Sequence, residues 1–217
     1  MKNVVIAIPT YFGGQLVGNC IQSILKNVVN PEIILYKNDV GWLKASNKMM
    51  QDTHDDIILL NDDTIVLTDI VHEMRQLAYS DPSIGIVGGK ALTPDGTKII
   101  NYGITVAVDG NTAHRFFGES KDSVKVERQK AVEGSCMYIK REVIERVGYF
   151  DEVYGMGYRA EVDYAFRAKE NGYKIMSCPT AEYVHLTSQT SGRLGIENDT
   201  HKIFMQNWGS ALRLGRV

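Results

Sequence analysis

Apolar residues first cluster at positions 4–8 (VVIAI), a run too short for a helix and stopped by Pro9. After Gly13-Gly14, the apolar positions Leu16, Val17, Cys20, Ile21, Ile24 and Leu25 recur at helical spacing. Residues 32–36 predict a second strand, 42–50 a helix, and 56–60 a third strand. Residues 68–78 predict a helix with Thr68 as its N-cap, and 84–87 a fourth strand. Strands that are apolar on both faces and alternate with helices predict a parallel sheet buried between helices. Such sheets bind ligands beyond the carboxyl ends of their strands. Pro9-Thr10-Tyr11 and Asn61-Asp62-Asp63 both sit at such ends, which predicts two loops meeting over one crevice.

The pattern changes after a turn at Thr93-Pro94-Asp95-Gly96. Residues 97–140 alternate strand and loop signals, with 132–139 the clearest strand. Residues 141–147 predict a short helix closed by Gly148, and 161–170 a helix closed by Asn171-Gly172. Residues 173–176 and 182–185 predict strands, 187–200 a polar loop, and 201–212 a final helix. This half extends the first sheet in mixed orientation and has no core of its own.

Composition narrows the class. The chain has 217 residues, 24 Lys and Arg against 26 Asp and Glu, and a net charge of −2. That balance argues against a nucleic-acid binder, which carries a basic excess. No apolar run approaches the roughly 20 residues of a membrane span, and the run at 4–8 is too short for a secretory core, with no cleavage site after it. The three cysteines, Cys20, Cys136 and Cys178, lack disulfide or metal spacing and point to a reducing cytoplasm. Arg213 and Arg216 near the end leave peripheral contact with a membrane open, and nothing more intimate.

Several residues carry candidate chemistry. Asn61-Asp62-Asp63-Thr64 follows the buried run at 57–60. Carboxylates held there suit Mg²⁺ or Mn²⁺, which bind through one or two carboxylates plus substrate phosphates. The same residues also suit a polar turn. Glu161 and Asp163 open a helix, where the dipole favours them. Residues two apart point about 200° away from each other around a helix, so at most one faces a reacting centre. The other caps the helix or pairs with Arg167 four residues on. His185 closes a strand and has the donor chemistry of a metal ligand or of a hydrogen-bonded surface residue. Arg193 sits in a polar loop and suits phosphate or solvent. GxGxxG, P-loop and GxSxG motifs are all missing.

Taken in order, VVIAIPTY (4–11), IILLNDDT (57–64), GSCMYIKREV (134–143), VGYFDE (147–152), EVD (161–163), GYKI (172–175) and VH (184–185) resemble the family 2 glycosyltransferases, in particular the bacterial rhamnosyltransferase-like group. The resemblance spans residues 3–190. It implies an α/β protein of the GT-A fold, with a Rossmann-like, mixed but mostly parallel central sheet flanked by helices. It implies one domain over 1–217, with a nucleotide-sugar-binding half (1–92) and an acceptor-binding, catalytic half (93–217).

The implied reaction moves a sugar from a nucleotide diphosphate donor to an acceptor hydroxyl, by single displacement with inversion. The acceptor is a glycan, a lipid-linked molecule or a protein. Carried over by position, Asp63 holds the divalent ion (Mn²⁺ or Mg²⁺) and His185 is a further ligand. Asp62 and Asn61 stand near the donor's ribose and sugar. Pro9, Thr10 and Tyr11 line the base and ribose pocket, Lys44 lies near the donor, and Arg193 belongs to a segment that closes over the diphosphate. The family's base is the Asp of a Glu-Asp pair; here the pair is Ala160-Glu161, so Glu161 becomes the base and Asp163, on the same catalytic helix, is structural. The family's base-contacting Asp after strand two is replaced by Lys37, with Asp39 as its substitute.

Three other classes compete. A sugar-1-phosphate nucleotidyltransferase would need a basic, Gly-rich first loop, which Tyr11-Phe12-Gly13-Gly14-Gln15 is not. A non-catalytic nucleotide-sugar-binding module would account for the changes at Lys37 and Ala160. A glycoside hydrolase needs two facing carboxylates, whereas strand-end Asp-Asp plus His suits a metal better.

Overall fold

The computed structural model describes residues 2–37, 39–155, 158–186 and 200–217. Its first half runs β1 (Val4–Thr10), α1 (Gln15–Asn27), β2 (Glu32–Lys37), α2 (Trp42–Asp52), β3 (Asp56–Leu60), β4 (Thr64–Val66), α3 (Ile70–Ser80) and β5 (Ile84–Leu92). Short strands follow: β6 (Ile99–Asn101), β7 (Ile104–Val106), β8 (Thr112–His114) and β9 (Glu127–Arg128). The rest comprises β10 (Cys136–Ile139), α4 (Arg141–Val147), α5 (Ala160–Glu170), β11 (Lys174–His185) and α6 (His201–Arg213).

The central sheet has the order β2-β1-β3-β10-β5-β11-β4. β1 is parallel to β2 and β3, and β11 is parallel to β5. β10 inserts antiparallel between β3 and β5, and β4 closes the edge antiparallel to β11. The second half therefore supplies β10, the strand that joins the parallel trio β2-β1-β3 to the parallel pair β5-β11. Alternation along each strand sorts the core into two layers. Ala7, Ile57, Leu59, Met137 and Ile139 face one way, against residues of α2, α4, α5 and α6. Ile6, Ile8, Ile58, Leu60, Cys136 and Tyr138 face the other way, against α1 and α3. Both faces of the central strands are buried, as continuous apolar runs require.

Three expected boundaries move, each for a physical reason. The helix expected from Thr68 starts at Ile70, and Asp69 caps it by accepting the His72 N–H at 3.0 Å. Thr68 instead ties β11 down: its hydroxyl donates to Thr180 O at 2.7 Å and accepts from Glu182 N at 2.9 Å. The two strands expected at 173–176 and 182–185 are one, β11, whose pairing with β5 shifts register between Ser177 and Glu182, around the N–H that Pro179 lacks. The strand expected from 132 begins only at Cys136. Glu133, Gly134 and Ser135 leave the ladder, and the Ser135 carbonyl accepts the Asn61 N–H at 2.9 Å. Among the described residues no helix is long and apolar enough to cross a membrane.

Candidate functional site

The parallel register of β1 and β3 brings their carboxyl ends side by side. The two loops expected over one crevice are joined there: the Thr10 hydroxyl donates to Asp62 Oδ2 at 2.6 Å. Thr10 in turn accepts the Gly13 N–H at 3.0 Å, across a turn whose Gly13 and Gly14 have φ of 68° and 74°, backbone that a β-carbon disfavours. The Asn61-Asp62-Asp63 turn is pinned from beneath. Thr64 donates to Asn61 O at 2.7 Å, and the buried Cys20 thiol lies under the same carbonyl. Pro9 is buried within β1, and Tyr11 packs edge-on against Phe12.

Register also places the next pair. His185 stands opposite Thr64 across the β4–β11 pairing, and Leu186 N donates to Asp63 O at 2.9 Å. His185 Nε2 is consequently 3.2 Å from Asp63 Oδ1, with both side chains buried. Its other nitrogen, Nδ1, lies 3.3 Å from Glu133 Oε1. Burial alone would lower the imidazole's pKa; the carboxylates on both sides override it and raise it to about 10. Burial opposes charging Glu133 as well, and His185 again prevails and holds that carboxyl below its usual range. Glu133 was not among the sequence-derived candidates. Its only signal was an acidic residue entering a buried strand.

These residues fit a divalent ion. Two ligands at about 2.1 Å from an octahedral ion stand about 3 Å apart when adjacent, which matches the Asp63–His185 separation. A carboxylate on the far ring nitrogen is the usual partner of a metal-bound histidine, and Glu133 occupies that place. No three His, Cys, Asp or Glu side chains among the described residues are grouped to hold an ion alone. Two protein donors completed by substrate phosphates and water is the arrangement that Mg²⁺-type ions favour. The buried Asn61 Oδ1, which lacks a hydrogen-bond partner, adds an acceptor beside them.

Glu161 and Asp163 diverge as helical geometry requires. Asp163 turns into the core, where it accepts from Trp208 Nε1 (2.8 Å), the Tyr154 hydroxyl (3.2 Å) and Arg167 Nε (2.8 Å). Every one of these partners is structural, and they bolt α5 to α6. Glu161 is half-buried in the first turn of α5. Burial raises its pKa from 4.5 to about 7; Glu133 adds to the rise, while its own N–H and Arg159 oppose it. Asp39, Lys44 and Lys37 are exposed. Arg193 lies outside the described residues.

No protein-family model matches the chain. An uncharacterised protein, y4gI of Sinorhizobium fredii, is 30% identical over 63% of the chain and 16% of its own length. The low-salt glycan biosynthesis hexosyltransferase Agl10 of Haloferax volcanii is 27% identical over 53% of the chain. The chain spans only 35% of that relative. Among solved structures, GalNAc-T7 with UDP, GalNAc and Mn²⁺ superposes with a TM-score of 0.67 at 12% identity, over 85% of this chain and 44% of that one. The mannosyltransferase PcManGT of Pyrobaculum calidifontis, with GDP-Man and Mn²⁺, gives 0.62 at 15% identity, over 98% and 64%. The fold is GT-A, a mixed and mostly parallel sheet between helices, and its structural neighbours are glycosyltransferases.

Proposed function

We propose that the chain is a divalent-metal-dependent, inverting glycosyltransferase of the family 2 type, which moves a hexosyl group from a nucleotide diphosphate-sugar to an acceptor hydroxyl in the cytoplasm. The observation that carries this reading is one line of groups: Asp63 against His185, His185 against Glu133, and Glu161 within the field of Glu133. It joins a cation-binding pair to a carboxyl whose pKa, raised to about 7, suits a base working at neutral pH.

Asp63, and His185 once it gives up the proton it carries without the ion, would hold Mn²⁺ or Mg²⁺, which would supply charge neutralisation to the departing diphosphate. Glu133 orients His185 by holding Nδ1. Asp62, fixed by Thr10, and Asn61 face the donor's ribose and sugar. Pro9 and Tyr11 wall the base pocket. Ionised Glu161 accepts the acceptor's hydroxyl proton as its oxygen attacks the anomeric carbon. Asp163 keeps α5 in place and touches no substrate. Glycan biosynthesis as the setting is supported by the hexosyltransferase relative, and a glycan, lipid-linked or protein acceptor fits equally well.

Thermal shift with UDP and GDP, each with and without Mn²⁺, tests the reading. A ligand that binds only the folded state raises its stability by RT ln(1 + [L]/Kd). The expected result is a shift with one nucleotide that requires the ion in the wild type and disappears in Asp63→Ala. An ion requirement that survives Asp63→Ala would remove Asp63 from the site.

A further inference from the structure

Arg159 immediately precedes α5 and adopts φ of 69°, a left-handed conformation that costs a non-glycine residue about 1 kcal/mol or more. Among the described residues its guanidinium meets no carboxylate within ion-pair distance. Nε is buried with no hydrogen-bond partner, and Nη1 reaches only the Thr200 hydroxyl, at 3.4 Å. Among the described residues Arg159 forms no ion pair, although its charge reaches Glu161. A partly buried cation without a counter-ion is unfavourable. The planar fork of an arginine is shaped for the two oxygens of a phosphate or carboxylate.

We infer that Arg159 is a specificity-determining residue that binds an oxyanion carried by the acceptor. The inference rests on the proposed transfer reaction. Glu161 lies in the first turn of α5, two residues after Arg159, and feels two charges: Glu133, which contacts His185 of the Asp63–His185 pair, and Arg159. The donor diphosphate belongs with Asp63. The acceptor hydroxyl must stand against Glu161, so a negative group on the same acceptor meets Arg159.

The probe is inorganic phosphate, followed by thermal shift on wild type, Arg159→Gln and Arg159→Lys, with and without saturating nucleoside diphosphate and Mn²⁺. At ten times its Kd, phosphate is expected to raise the wild-type Tm by about 3–5 °C, additively with the nucleotide. Arg159→Lys should keep part of that shift and Arg159→Gln should lose it. Equal shifts in wild type and Arg159→Gln would overturn the inference. So would a phosphate shift that vanishes once nucleotide is bound, because Arg159 would then serve the donor. Absence of any nucleotide shift counts against the transfer reaction, while phosphate alone still decides whether Arg159 binds an anion.

Discussion

Replacing Glu161 by Gln should make the protein more stable at pH 8 and less active. The Glu161 carboxyl titrates near 4.5 in an unfolded chain and at about 7 in the folded one, chiefly because burial penalises its charged form. Below pH 4.5 both states are neutral there and the residue costs nothing. Between the two values the folded state retains a proton that the unfolded state has lost, so stability falls as pH rises. Above pH 7 the full penalty stands. At 1.36 kcal/mol per pKa unit this amounts to about 3 kcal/mol, an upper bound for a group that water partly reaches.

Gln is close in shape to the protonated carboxyl and carries no charge. The variant should therefore match wild type at pH 4 and exceed it by up to about 3 kcal/mol at pH 8. In a chain of this length that corresponds to a Tm gain of about 6–10 °C. Urea unfolding at both pH values measures it directly, and the difference between variants cancels the titration of every other group. Transfer, measured with whichever donor the nucleotide screen selects, should fall by about 10² or more. A variant no more stable than wild type at pH 8, or equally stabilised at both pH values, would show that Glu161 is not desolvated and would remove the argument for a base tuned to neutral pH.

Two further substitutions test what holds the site in place. Asp163→Ala strands the Arg167, Trp208 and Tyr154 donors and should cost about 3 kcal/mol or more in urea unfolding; Asp163→Asn should recover part of it. Asp56 lies 1% exposed at the start of β3 and accepts from the Tyr138 hydroxyl, the Tyr79 hydroxyl and Arg141 N. Asp56→Ala leaves a fully buried phenol unpaired and should cost about 2–3 kcal/mol, read as a lower urea midpoint at unchanged m-value.

Apolar periodicity made most of this fold legible. The runs at 4–8 and 56–60 could only be strands buried on both faces, and the Leu16-to-Leu25 spacing could only be one side of a helix. Short-range chemistry was harder to rank. Thr68 and Asp69 are both good caps, and sequence offers no way to see that β11 claims Thr68 first. The place of β10 was also hidden. Nothing local in Cys136–Ile139 tells that it will separate β3 from β5, because strand order depends on contacts far apart along the chain.

The same distinction separates the two carboxylates of α5 from Glu133. Helical geometry alone predicted that Glu161 and Asp163 would face apart and that one of them would cap the helix or pair with Arg167; Asp163 makes the pair. The i,i+4 spacing to Arg167 already singles out Asp163; its further tie to Trp208, 45 residues away, could not be read locally. Glu133 is harder still, because its role comes from β11. The register that sets His185 opposite Thr64 turns one ring nitrogen to Asp63 and leaves the other for whatever leaves β10 beside it. That place falls to Glu133 because the chain departs from the ladder just before Cys136. Glu133, left out of the ladder just before β10, thus stands against His185, and its charge links the Asp63–His185 pair to Glu161. Sequence motifs locate groups that act through their own neighbours; a group that acts through a partner strand is found only once the register is known.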